Sequence, residues 1–157
     1  MTDAGIRRIL LVEDDELNRI LVRTILARAA DPELRAADLV EAGNLSQARA
    51  ALAETSFDIV LLNLGLPDGH GLSLASEIAG GIGGGADRRR PAIIGLTGDS
   101  RPESRIAALS AGCDAFLAKG SYTSADLLAE LAAQLGSPSG SDAVDRGPTS
   151  QRRWTPP

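Results

Sequence analysis

The sequence is poor in the residues that staple, span or coat. It has one cysteine, Cys113, so no internal disulfide can form, and a reducing compartment suits it. It has one tryptophan, one tyrosine and two phenylalanines, so its core must be built from Leu, Ile, Val and Ala. Long apolar runs are missing near the start. In "MTDAGIRRILLVEDDELN" the apolar run before the acids is only four residues long, too short for a signal peptide or a membrane span. A cytoplasmic protein without a membrane partner is expected. Excess positive charge is missing too. The formal net charge is −5, which removes a basic surface for nucleic acid. Lysine is almost absent: of sixteen basic residues only Lys119 is not arginine. An ammonium is a compact point charge and a guanidinium a planar fork, so a chain that otherwise uses arginine can have a specific use for that lysine.

What is present is a regular alternation. A length of 157 residues suggests one domain. "RRILLVE" (7–13), "AADLVEA" (36–42), "FDIVLLN" (57–63), "AIIGLT" (92–97) and "AFLA" (115–118) read as strands. "DELNRILVRTILARAA" (15–30) reads as a helix that ends at "DP" (31–32). Leu17, Ile20, Leu21, Thr24, Ile25 and Arg28 recur on one largely apolar face. Helices are also predicted over 44–54 with Asn44 as N-cap, over 71–80, over 100–112 with Ser100 as cap and Gly112 as stop, and over 121–135. Near-continuous apolar strands joined by helices predict an α/β fold, with a parallel sheet covered on both faces. Five strands suit a doubly wound, flavodoxin-like sheet of order 2-1-3-4-5, whose ligands sit at the carboxyl ends of the strands.

Three segments fall outside that pattern. Residues 1–5 are an N-terminal extension. "GGIGGGADRRR" (80–90) lacks the Gly-Lys-Ser/Thr of a phosphate-binding loop and reads as a connection. "GSPSGSDAVDRGPTSQRRWTPP" (136–157) is rich in Gly, Ser and Pro and reads as a disordered tail. It holds three Arg and two Asp, so residues 1–135 carry −6. Trp154 within it is either a solvated tail residue or a docking element for a partner.

The strand ends bring chemistry together. Glu13, Asp14 and Asp15 follow strand 1, Asn63 ends strand 3, Thr97 ends strand 4 and Lys119 follows strand 5. In a parallel sheet these lie along one edge. Asp15 is also well placed as a helix N-cap. His70, the only histidine, reads as an exposed loop residue beside that edge, and Cys113 as a small buried one.

"ILLVEDDELNR", "FDIVLLNLGLPDGHG", "IIGLTGDS" and "AGCDAFLAKG" together resemble the receiver domain of two-component response regulators, in the family's order and spacing over about residues 6–135. The flavour is that of standalone or hybrid-kinase receivers. The resemblance implies a phosphorelay module. An acid at the end of strand 3 takes a phosphoryl group, with Mg²⁺ neutralising charge on it. It implies metal contacts at Glu13, Asp14, the strand-3 position Asn63 and the Gly65 carbonyl. It also implies phosphoryl pairing by Lys119, and a switch through Thr97 and Phe116. The partners it implies are a histidine kinase or phosphotransfer protein, and a downstream protein on the face of the fourth helix, fifth strand and fifth helix.

Two positions depart from the family's pattern. Lys119 is followed by Gly120 where proline is usual. Asn63 stands at the phosphoacceptor position, and an amide is no nucleophile toward phosphorus. The expectation is a receiver that is not phosphorylated, has no enzymatic activity of its own and binds Mg²⁺ weakly. The asparagine suits a natural receiver that works without phosphorylation or an engineered Asp→Asn change. Asp58, at the far end of strand 3, and Asp68, in the following loop, do not replace it. The competing expectation is a small enzyme or nucleotide-binding protein on the same sheet. It requires a glycine or hydroxyl loop after strand 1, where this chain has acids.

Overall fold

A computed structural model describes residues 6–66, 69–80, 90–98, 101–119 and 122–135. The expectations for residues 1–5, Asp68, the glycine-rich 81–86, Ser100, Gly120 and the tail from 136 lie outside these.

Five strands form one sheet: β1 (Arg8–Val12), β2 (Asp38–Ala42), β3 (Ile59–Asn63), β4 (Ala92–Thr97) and β5 (Ala115–Ala118). All neighbours pair in parallel, in the order β2-β1-β3-β4-β5. This is the expected doubly wound sheet. The helices are α1 (Glu16–Ala27), α2 (Leu45–Glu54), α3 (Gly71–Ala79), α4 (Pro102–Ala111) and α5 (Ser124–Leu135).

Successive strand residues point to opposite faces, so each strand feeds two cores. Leu10, Val12, Val60, Leu62 and Ile93 meet α2, α3 and Ala108 of α4 on one face. Ile9, Leu11, Ile59, Leu61, Ile94 and Leu96 meet α1 and α5 on the other. Every residue of β3 is buried, as a central parallel strand requires. The helix that follows β1 and the helix that follows β3 thus lie on opposite faces. The carboxyl ends of these adjacent strands open into a crevice.

Local signals fix several boundaries. Asn44 caps α2 by accepting from Gln47 N, and Asp15 caps α1 by accepting from Leu17 N. Gly112 ends α4 at φ +119°, a left-handed value that favours glycine, and a Cβ there would come within 2.8 Å of Ala79.

Three expectations need correction. The helix predicted over 15–30 stops at Ala27. Asp31-Pro32 does not end it but starts a separate turn, Pro32–Arg35, in which Asp31 accepts from Glu33 N and proline takes the first turn, where its missing N–H costs nothing. At α4 the N-cap position is Arg101, with no side-chain cap bond, and Pro102 opens the helix. The third concerns the buried face of α1. Val22, Ile25 and Leu26 are buried, while Leu17, Ile20 and Leu21 are exposed. The apolar arc of this helix is wider than one face, so periodicity alone permits two rotations. Packing of Val22, Ile25 and Leu26 into the core selects one, and ion pairs accompany it. Arg23 holds Glu41 of β2 through two 2.9 Å bonds, Arg19 adds a 3.5 Å contact, and this flank is turned toward β2. The Arg23 hydrogen bond keeps the Glu41 carboxyl below the usual carboxylate range, despite its partial burial.

A small antiparallel ribbon, Gly65–Leu66 with Gly69–His70, follows β3 and was not expected from the sequence.

Candidate functional site

The register of the sheet assembles the site. Val12 pairs with Leu62, so the next residues, Glu13 and Asn63, stand side by side. Thr97 pairs with Ala118, and Lys119 N donates to Thr97 O. The Lys119 side chain therefore starts three strands from β1 and reaches back over β4 and β3. Its Nζ lies 2.8 Å from Glu13 Oε1.

Glu13 is 1% exposed. A carboxylate so deep is costly unless every oxygen finds a donor. Oε1 takes the Lys119 ammonium, and Oε2 accepts from Asn63 Nδ2 (3.1 Å) and from Asp15 N (3.1 Å). Asn63 is also buried, and its amide is divided in two. Nδ2 donates to Glu13 and to Asp14 Oδ1 (3.0 Å), while Oδ1 accepts from Gly65 N (3.2 Å). Only this orientation satisfies all three partners. Turned over, the amide oxygen would face two carboxylates and its nitrogen would face an N–H. Among the described residues no buried side-chain nitrogen or oxygen lacks a partner.

Glu13, Asp14, Asn63, Gly65, Thr97 and Lys119 thus gather at one edge, as the sequence implies. Asp15 serves as helix cap. Asp58 lies at the opposite end of β3, where Arg8 N donates to it. Phe116 is half-buried on β5 with the Arg105 guanidinium 6.0 Å from its ring centre. His70 is exposed and acts as the N-cap of α3, its Nδ1 accepting from Leu72 N. A cavity of about 240 Å³ adjoins the site, between the ribbon, the end of β4 and α4; His70, Thr97 and Ser104 are among its lining residues. Burial, with Asp114 beside it, pushes the Cys113 thiol up to about 12, so it is no nucleophile at neutral pH.

Two contributors were missed from sequence. The first is Gly71. A Cβ there would lie 2.6 Å from Asn63 O and 2.8 Å from Leu64 Cα, so only glycine lets α3 close against the end of β3. The second glycine of "PDGHG" carries that signal weakly, because such a loop offers glycine many reasons to be there. The second is Tyr122, whose phenol is pushed up by burial and further by the Glu13 carboxylate. A lone tyrosine after Lys119 gives no hint of that neighbour.

As folded, the site does not fit a cation. Glu13 and Asp14 would be its ligands, but Asn63 presents N–H donors at the point where those carboxylates converge. Among the described residues, no three His, Cys, Asp or Glu side chains group to hold a metal. No described helix is long and apolar enough to cross a membrane.

The response regulator receiver domain model matches residues 9–132. The chain is 32% identical over 114 residues to the two-component response regulator ORR41 of Oryza sativa subsp. japonica, covering 71% of this chain and 82% of the relative. It is 33% identical over 112 residues to the transcriptional regulatory protein PmrA of Pectobacterium parmentieri, covering 71% of this chain but only 45% of that relative. Among solved structures it is similar to the receiver domain of the sensor histidine kinase PA1611 from Pseudomonas aeruginosa PAO1, described with a magnesium ion coordinated in its active site cleft. That match has a TM-score of 0.69 and 28% identity, and covers 83% of this chain and 98% of the other. With the family model matching residues 9–132 and the five-stranded parallel sheet in common with that solved structure, this chain belongs to the response regulator receiver domain family of two-component signalling.

Proposed function

We propose that residues 6–135 form a receiver that signals by protein–protein interaction without being phosphorylated at the end of β3. Residues 1–5 and 136–157 are extensions to it. Asn63 occupies the phosphoacceptor position in this reading. The observation that carries it is the amide bonded to both Glu13 and Asp14. In that place Asn63 does what a cation would otherwise do: it presents positive N–H dipoles to two carboxylates. Lys119, which would pair with phosphoryl oxygens, is engaged with Glu13 instead. The acidic pocket is thereby internally compensated.

Mg²⁺ binds weakly in this reading. Admitting it requires the Asn63 amide to turn over. That gives up two bonds to charged acceptors, each worth about 1.5–3 kcal/mol, and a bond from Gly65 N. Thr97 and Phe116 form the switch pair, supported by the cavity between Thr97 and α4 and by the incomplete burial of Phe116. The outgoing partner docks on α4, β5 and α5, where Ile106 is 64% exposed. The incoming partner is a histidine kinase or phosphotransfer protein. The protein acts in the cytoplasm, as a binding module and not as an enzyme.

The test is direct. The protein and its Asn63→Asp variant are incubated with a small-molecule phosphodonor and Mg²⁺, and intact masses are measured. A single phosphoryl adduct is expected on the variant alone. An adduct on the parent protein would overturn the reading, because some other side chain would then be the acceptor.

A further inference from the structure

The exposed flank of α1 is apolar where a solvent-facing helix should be polar. Leu17 is 74% exposed, Leu21 48% and Ile20 39%. With the exposed Thr24 they follow the i, i+3, i+4, i+7 spacing of one stripe. Val22, Ile25 and Leu26 face the core and Arg19 and Arg23 face Glu41 of β2, so this stripe lies on the outward side of the helix. Three exposed acids, Asp14, Asp15 and Glu16, stand at its amino-terminal end. Adjacent apolar side chains rimmed by charge mark an interaction surface.

We propose that the occupant is this chain's own C-terminal segment, with Trp154 on Leu17, Ile20 and Leu21 and with Arg152 and Arg153 against Asp14, Asp15 and Glu16. Three arguments select it. The first is chemistry: "QRRWTPP" puts two guanidiniums directly before the only tryptophan of the chain, matching acids directly before an apolar stripe. The second is origin. The segment leaves from Leu135, whose side chain shares a buried cluster with Leu34 and Ala29, near the carboxyl end of α1. The third is reach. From there the segment must run back along α1, about 18 Å for twelve residues at a rise of ~1.5 Å each. Arg152 is 17 residues beyond Leu135, and a Gly/Ser-rich chain of that length has a root-mean-square span of roughly 20–25 Å. The inference does not depend on the phosphorylation state of Asn63.

Trp154 makes the contact directly readable, because all tryptophan emission reports this segment. In the full chain, emission should be blue-shifted and partly shielded from acrylamide. Leu17→Ser/Leu21→Ser, at positions already exposed, should keep the far-ultraviolet dichroism and thermal midpoint. It should red-shift the emission and raise the quenching constant by about two- to threefold, as expected when a covered aromatic side chain is released. Arg152→Glu/Arg153→Glu should do the same, and high salt should reproduce part of the effect. Equal quenching in the parent protein and both variants would overturn the proposal and leave the stripe for another protein. Shielding that is lost on dilution would overturn it as well, because the segment would then belong to a second copy.

Discussion

The two ends of β3 solve the same electrostatic problem in opposite ways. At the amino end stands an acid, Asp58, accepting from Arg8 N at 2.8 Å with Arg7 at 3.7 Å. It is more than one-third exposed and sits among cations at the edge of the sheet. At the carboxyl end stands the amide Asn63, 6% exposed, between two acids and beneath a lysine. The acid is at home where arginines and water surround it. At the other end the acids are already supplied by β1, and the strand contributes a neutral donor. Placement on the sheet, more than residue type, decides what a side chain at a strand end does. Substitutions that exchange or weaken the two ends therefore test this view.

The largest effect should come from making the carboxyl end acidic. Asn63→Asp would replace two donated bonds by repulsion. Two carboxylates 4 Å apart cost about 4 kcal/mol at an effective dielectric of 20. Lys119 offsets part of that, so a loss of about 3 kcal/mol is expected in chelator-treated protein, read by urea unfolding. Mg²⁺ should then restore most of it in the variant and shift the parent protein little, by the linkage between ligand binding and stability. An equal Mg²⁺-induced shift in both proteins would contradict the role given to the amide.

A smaller effect is expected at the lysine. Lys119→Met keeps an unbranched stem of similar volume and removes the ammonium from Glu13. Breaking a buried pair typically costs 3–5 kcal/mol. Here Glu13 keeps Asn63 and Asp15 N as donors, and Lys119 is one-quarter exposed, which admits solvent screening. The expected loss is about 1–2 kcal/mol. Its measurement is the unfolding midpoint at low and high salt. No loss at either would mean that the long reach across β4 and β3 contributes nothing to the folded state.

Much of this was legible before any coordinates. The five strands announced themselves because a central parallel strand is apolar on both faces, and "IVLL" has no polar residue to confuse its period. The site was legible for a related reason. In a parallel sheet the residues just past the strands share one edge, so Glu13, Asn63, Thr97 and Lys119 could be grouped by topology alone. What was not legible is rotation and closeness. Which side of α1 is buried depends on how Val22, Ile25 and Leu26 pack against the sheet, with the Arg23–Glu41 pair, 18 residues apart in sequence, consistent with that rotation. The need for glycine at 71 depends on the path of Asn63 and Leu64. That Asn63 donates to both acids, and not to one, follows from a register that pattern reading does not resolve.

The smallest effect should come from carrying the amide to the other end of the strand. Asp58→Asn retains an oxygen that accepts from Arg8 N and gives up only the charge facing Arg7, an exposed pair at 3.7 Å. Such pairs contribute little, so the expected cost is about 0.3 kcal/mol. The comparison with Asn63→Asp is then between the same two residue types exchanged in opposite directions on one strand, with costs differing by about an order of magnitude. Urea unfolding of the two variants side by side, without Mg²⁺, measures that ratio. Costs of similar size would mean that any charge change at a strand end perturbs the sheet, and that the acidic surroundings of Asn63 are not what sets its role.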